Sequence, residues 1–245
     1  ELSTAENFLH LIRFDGKYTK LEAQILDLAL ILHAEHGGGN NSSLTVHVVS
    51  SADTDTYSSI AAAVGSLKGR RHGGANIRVM EMMDDLKVHV KDWTSDKQIR
   101  DYLTLVATRK AFDKTGLIYG MGHAIYTVSD PRAVLLNELA EKLAKQKGCL
   151  DEFNLYKRIE KIAPEVIYSI HGTGKRICAN VDFFSGFVYT MLGIPRELFT
   201  PLFAISRIAG WSAHRIEEVS AGGRIYRPAY KNICPVHKYV KIDDR

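Results

Sequence analysis

No apolar run in this 245-residue chain approaches the roughly 20 residues needed to cross a bilayer. Its opening, Glu1-Leu2-Ser3-Thr4, has neither a basic leader nor an apolar signal core. These absences argue against a membrane span and a secretory route, and the expectation is a soluble protein of the cytoplasm. Cysteine is scarce. Cys149, Cys178 and Cys234 are odd in number, far apart and without CxxC spacing, so neither a disulfide framework nor a zinc knuckle is suggested, and reduced thiols are the simplest reading. No HExxH or paired Cys/His spacing marks a metal site, which leaves metal binding a minor alternative. Charge of one sign is also missing: 32 Lys and Arg stand against 28 Asp and Glu without a basic tract, which does not argue for nucleic acid. Internal repeats, heptads and low-complexity segments are absent. The chain opens on Glu1 rather than an initiator methionine, as a trimmed fragment would.

With 45% apolar residues and only 6 prolines, the chain is long enough for one large domain or two smaller ones, and its apolar spacing is mostly helical. Residues 20–34 place Leu21, Ile25, Leu28 and Leu32 on one face, with Lys20, Glu22 and Asp27 turned elsewhere. Residues 44–51 are β-branched and read equally as a strand or a short helix. Residues 56–67 form an Ala-rich helix with Gly69 placed to follow its end. Further helices are expected over 77–90, with Val79, Met82, Met83, Leu86 and Val90 inward, and over 95–112. Asp130-Pro131 is a start signal for a helix running to Lys147, ahead of Gly148. Helices over 150–170, disturbed at Pro164, and over 182–192 follow. Pro195 opens another that runs to about Ala209, and 211–220 is helical. From Gly222 the tail is basic, aromatic and irregular. The fold class is all-α.

The chemistry lies in the breaks. Three of them set a histidine beside glycine: His36-Gly37-Gly38-Gly39-Asn40, Gly69-Arg70-Arg71-His72-Gly73-Gly74-Ala75-Asn76 and Gly120-Met121-Gly122-His123. A fourth holds Asn180-Val181-Asp182. Glycines after a histidine let a substrate approach the backbone and let the next helix begin there. Each feature also has a plain structural reading. A lone histidine caps a helix end, Asp182 is a helix-start acid favoured by the dipole, Arg132 is a solvated arginine, and Arg207 pairs with an acid such as Glu218.

Taken in order, Leu32-His33-Ala34-Glu35-His36-Gly37-Gly38-Gly39-Asn40, Gly69 to Asn76, Gly120 to His123 followed by Asp130-Pro131-Arg132, Asn180-Val181-Asp182-Phe183-Phe184-Ser185-Gly186, and Arg227-Pro228 resemble the motifs of citrate synthases. The resemblance covers nearly the whole chain but only the later part of the family's fold, whose N-terminal helical block is missing. Two departures stand out: Arg70-Arg71 where the family commonly has Pro-Leu, and Cys178-Ala179 before Asn180. Neither falls on a matched functional residue.

The resemblance implies a large helical domain, residues 1–74 and 185–245, with a smaller inserted helical domain, residues 75–184. It implies the acyltransferase step of the tricarboxylic acid cycle, in which acetyl-CoA condenses with oxaloacetate and the thioester is hydrolysed to citrate and CoA. Acetyl-CoA enters as a co-substrate, with no tightly bound cofactor. In that chemistry Asp182 is the base, His72 donates to the thioester oxygen, and His123 polarises the oxaloacetate ketone. His36, Arg132, Arg207 and Arg227 bind the dianion, Arg227 from the partner of a homodimer with shared sites. Lys175 and Arg176, with the backbone at Gly120 and Gly122, are candidates for CoA, a plain solvated loop being the other reading. Asn40 supports His36. Two alternatives stand: a 2-methylcitrate synthase using propionyl-CoA, and a non-catalytic fragment that binds CoA or dimerises.

Overall fold

Seven of the helix starts are written in their capping residues. Ser3 and Thr19 form reciprocal capping boxes with Glu6 and Glu22 at the heads of α1 (Thr4–Ile12) and α2 (Lys20–Ala34). Asn40 caps α3 (Asn41–Ser50), Asp55 caps α4 (Thr56–Leu67), Ser95 caps α6 (Asp96–Ala107), and Asp130 with Pro131 opens α7 (Pro131–Lys147). Between them, α5 (Ala75–His89) begins at Gly74 without a side-chain cap. Then follow α8 (Leu150–His171), α9 (Val181–Met191, capped by Asn180), a 3₁₀ turn at Arg196–Leu198, α10 (Phe199–Ala221) and a last 3₁₀ turn at Ile242–Asp244. The structure, a computed structural model, describes all residues except Ala124, 173–175, Asn232, Val236 and Arg245. Among the described residues there is no β-sheet, only an isolated antiparallel bridge between Met121 and Ala179, and no helix is long and apolar enough to cross a membrane.

Helix α9 is the hub. It is apolar nearly all round, and Phe183, Phe184 and Phe187 are buried where it packs between α5 and α7, with Tyr156 of α8 against the phenyl rings. Each such side chain contributes roughly 1.5–3 kcal/mol of burial. The main core joins α1, α2 and α5 to α9, and the inward face expected for α5 is fully in it. A smaller core of Val46, Ala63, Leu67 and Trp211 ties α3, α4 and α10 together. That packing decides residues 44–51 in favour of a helix, overriding the weak strand preference of their β-branched side chains.

Five expectations are corrected. Glu22 is not turned away: it is only 2% exposed, with Arg13 and Lys147 both on its carboxylate, so the buried face of α2 runs through Glu22, Leu26, Ala29 and His33. Residues 95–112 are not one helix, because α6 stops at Ala107 and Arg109, Phe112 and Lys114 all take left-handed backbone. Gly69 follows α4 without left-handed backbone, since the helix ends through Lys68 in ordinary αR geometry. Residues 199–221 form one helix in which Gly210 is buried against the end of α2. Pro164 leaves α8 continuous.

Candidate active site

The three histidine loops and the head of α9 converge. His36 follows α2, and its Nε2 lies 3.2 Å from His123 Nε2. His123 Nδ1 accepts the backbone N–H groups of Ile125 and Tyr126 at 3.0 and 3.2 Å, so a neutral His123 carries its proton on Nε2, facing His36. Burial and the Arg132 charge lower the pKa of His123, and burial with the Arg132, His123 and Arg207 charges takes that of His36 to about 4. Both rings are neutral at pH 7.

Arg132 is not a solvated arginine. Its Nε and Nη2 reach Asp130 Oδ1 and Oδ2 at 3.0 and 2.8 Å, and Nη2 sits 3.4 Å from His123 Nε2. Asp130 is buried and serves three ends at once: it clamps Arg132, caps α7 through the Arg132 N–H, and accepts the Val181 N–H at the head of α9. Burial opposes its ionisation, but the Arg132 contacts hold its pKa below the ordinary carboxylate range.

Arg207 of α10 is fully buried. Its Nε donates to the His33 carbonyl at 2.5 Å and its guanidinium lies 4.8 Å from the centre of the Phe203 ring, while Nη1 has no hydrogen-bond partner among the described residues. Glu218, considered as its ion-pair partner, binds His47 and Tyr226 instead. A buried guanidinium with an unpaired donor and no carboxylate in direct contact is suited to meeting an anion. Burial lowers its pKa to about 10, so it stays charged.

Asp182 occupies the first turn of α9, where its N–H donates to the capping Asn180 Oδ1 at 3.0 Å. Desolvation raises its carboxyl pKa to about 6, with Asp130 adding to the rise and Arg132 and Arg207 opposing it. That places the carboxylate near neutrality, where a base is both ionised and effective.

His72 precedes α5, and burial with the Arg207 charge lowers its pKa. Gly73 behind it donates its N–H to the Leu67 carbonyl at 2.7 Å, and a Cβ there would overlap that carbonyl and the Thr200 methyl. This close approach fixes the loop. His72 Nε2 lies 3.0 Å from Ser42 Oγ, which also lies 2.8 Å from Asn40 Oδ1 and accepts Trp211 Nε1–H at 3.1 Å. Asn40 is bonded to Ser42, and through it to His72, rather than to His36.

His36, His72, His123, Arg132, Asp182 and Arg207 all line one cavity of about 100 Å³, together with Asn40, Asn180 and Phe203. The other expected site residues that the structure describes are not among its lining. Arg227 is in the exposed tail, Arg176 is exposed beyond α8, and Lys175 lies outside the described residues. Gly120 and Gly122 spend their backbone groups on Asn180 and Cys178: the Gly120 and Gly122 carbonyls accept the Asn180 N–H and Nδ2, and the Gly122 N–H donates to Cys178. Gly120 needs its positive φ and meets Phe183 so closely that a Cβ would clash. A separate, larger cleft of about 640 Å³ is lined by Arg70, Arg71, Arg78, Thr115, Leu117 and Tyr119. Ser42 and the clamping role of Asp130 were not legible in the sequence, and Asn180 stood out only as part of the Asn-Val-Asp break, with no role of its own. Their importance arises from what the fold sets beside them, and the Asp130-Pro131-Arg132 and Asn180-Val181-Asp182 motifs were the signals.

Fold and cavity together define an all-helical protein that sets a poised carboxylate against imidazole and guanidinium donors. The chain belongs to the citrate synthase family: the model of the citrate synthase C-terminal domain matches residues 1–229. It is 39% identical to the citrate synthase of Synechocystis sp. over 93% of this chain and 52% of that protein. It is 38% identical to the 2-methylcitrate synthase of Shewanella oneidensis over 98% of this chain and 58% of that one. Among solved structures it resembles the citrate synthase of Thermoplasma acidophilum in its ternary complex with carboxymethyl coenzyme A and oxaloacetate. That TM-score is 0.81 at 32% identity, covering 100% of this chain and 61% of that one. The chain spans little more than half the length of these two curated relatives.

Proposed function

We propose that this chain carries the reacting half of a citrate synthase, joining acetyl-CoA to oxaloacetate and releasing citrate and CoA. The observation that carries the reading is the cavity itself. A buried guanidinium with an unpaired Nη1 and a carboxylate raised to about pKa 6 open onto the same small space, walled by three histidines. A dicarboxylate keto acid meets Arg207 and Arg132 with its carboxylates and His36 beside them. The His123 Nε2–H, already turned inward, polarises the ketone. Asp182 removes a methyl proton from the thioester, and His72 donates to the thioester oxygen as the enolate forms. For that donation the His72 proton must sit on Nδ1, with the Ser42 hydroxyl turned to Nε2 rather than to Asn40.

Around the cavity the two guanidiniums are already balanced by acids, Arg132 by Asp130 and Arg207 by the more distant Glu35 and Asp182. A dianion therefore calls for another cation, and Arg227 from a second copy, in a homodimer of the cytoplasm, supplies it. The cleft lined by Arg70, Arg71 and Arg78 suits the phosphates of CoA, with Leu117 and Tyr119 against its adenine. Residues 75–184 act as the smaller domain, closing on 1–74 and 185–245 to exclude water from the thioester.

The resemblance to a 2-methylcitrate synthase keeps propionyl-CoA as a second acyl donor, since one methyl shifts binding by only about 1–3 kcal/mol. No structural observation favours a non-catalytic fragment. Steady-state assays of the full-length protein with each acyl-CoA test the proposal. Citrate formation favoured over methylcitrate formation is expected, and no condensation with either donor rejects it.

A further inference from the structure

Outside the cavity, four side chains from three elements form one continuous chain. His47 of α3 donates through Nδ1 to Glu218 Oε2 at 2.7 Å, and His214 of α10 donates through Nε2 to Glu35 Oε1 at 3.0 Å. The two remaining nitrogens, His47 Nε2 and His214 Nδ1, face each other at 3.0 Å. A carboxylate only accepts, so each outer nitrogen carries its ring's proton. In neutral imidazoles the two inner nitrogens are then bare lone pairs pointed at one another, an arrangement that asks for a cation between them.

The surroundings favour a metal ion over a shared proton. Glu217 sets Oε2 3.7 Å from His214 Nδ1, and the ligand atoms of His47, His214 and Glu217 all lie within 4.8 Å of one another. Each ring is braced at its far nitrogen by a carboxylate, the outer-shell support that metal-bound imidazoles use. Glu218 is itself fixed by the Tyr226 hydroxyl at 2.8 Å. Gly38 closes one side, and the place its Cβ would take is 3.5 Å from His47 Nε2 and 3.7 Å from His214 Nδ1, so the space before both nitrogens is kept clear. The histidines are half-buried and Glu217 is exposed, which gives an ion an entry from solvent.

We propose that His47, His214 and Glu217 bind one divalent transition-metal ion of the zinc type, with water completing a tetrahedral set. Bonds of about 2.0–2.1 Å to two imidazoles at a tetrahedral angle require nitrogens about 3.3 Å apart, a few tenths of an ångström wider than they stand. Two imidazoles and a carboxylate select zinc, cobalt, nickel or copper over magnesium or calcium. The site is structural in kind. It joins α3 to α10 and, because Glu35 also accepts the N–H groups of His36 and Gly37, it braces the loop that carries His36.

The test is titration of the metal-stripped chain with Zn²⁺ by calorimetry and with Co²⁺ by visible absorption, with thermal unfolding followed alongside. One equivalent of Zn²⁺, a tetrahedral cobalt spectrum and a rise of a few degrees in the unfolding midpoint at saturation are expected. His47→Gln and His214→Gln should each abolish binding, Glu218→Gln should weaken it about 10- to 100-fold, and His36→Gln, in the cavity, should leave it intact. If the His47 variant fails to fold, the wild-type cobalt spectrum and the Glu218→Gln affinity still decide. The proposal is overturned by the absence of stoichiometric binding, by an octahedral cobalt spectrum, or by binding that follows His36 rather than His47 and His214.

Discussion

The Nε2 atoms of His36 and His123 lie 3.2 Å apart, and in the neutral pair the proton between them belongs to His123, because His123 Nδ1 is occupied by two backbone N–H groups. The ring that faces the cavity is thus set as a donor before any ligand arrives. The His36 pKa, at about 4, lies below that of Asp182, at about 6, and burial with the Arg132 charge lowers that of His123 as well. The acid limb of kcat/KM should accordingly report Asp182. Activity should rise with pH through an apparent pKa near 6, as the carboxyl ionises to become the base. A pH–rate profile checks this, and a limb near 4 would assign the control to His36 instead.

Replacing Asp182 with asparagine separates function from stability. Loss of the base should cut kcat by about 10²- to 10⁴-fold. The folded-state pKa is raised above the unfolded value near 3.9, so ionising Asp182 costs folding energy that is absent below pH 4 and grows as pH rises through 6. Asp182→Asn should therefore be more stable than the parent at pH 8, by up to ~3 kcal/mol, and no more stable at pH 4. Denaturant midpoints at the two pH values measure it.

Legibility followed the range of the interactions. The Asp130-Pro131 cap and the 3.6-residue rows of α5 and α9 are local, so those helices could be read from the residues themselves, whereas α1 was not among the expected helices. The face of α2 could not, because Glu22 is buried by Arg13 and Lys147, the latter from a helix 125 positions away. The same division holds at the site. His36, His72, His123 and Asp182 stood out by their glycine and Asn-Val-Asp settings. The roles of Ser42 and Asp130 rest on contacts with His72, Arg132 and Val181 that only tertiary packing creates.

Arg207→Leu tests whether the cavity is built for an anion. Removing a desolvated cation that has no direct ion-pair contact should leave unfolding of the free protein within ~1 kcal/mol of the parent, the lost bond to the His33 carbonyl offsetting the relief. The KM for oxaloacetate should rise about 10- to 100-fold, and oxaloacetate should no longer raise the unfolding midpoint. Thermal shift with and without the keto acid distinguishes this from simple destabilisation.

Asp130→Asn should behave in the opposite way. It leaves the half-buried Arg132 without its partner and weakens the acceptor for the Arg132 and Val181 N–H groups, at a cost of about 3 kcal/mol at neutral pH. The pKa of Asp130 is depressed, so its contribution is present above the unfolded value near 3.9 and is lost as pH falls through the folded one. The parent and variant should accordingly converge in acid, which urea melts from pH 7 down to pH 3 would follow.

The most direct measurement is a crystal structure of the protein soaked with oxaloacetate and a non-reactive CoA analogue. The dianion should lie in the cavity, its carboxylates on Arg132 and the Nη1 edge of Arg207, its ketone on His123 Nε2, and the analogue's acyl carbon between Asp182 and His72. A dianion bound elsewhere, or a cavity in which Arg207 Nη1 stays without a ligand at saturating oxaloacetate, would contradict the assignment of this site.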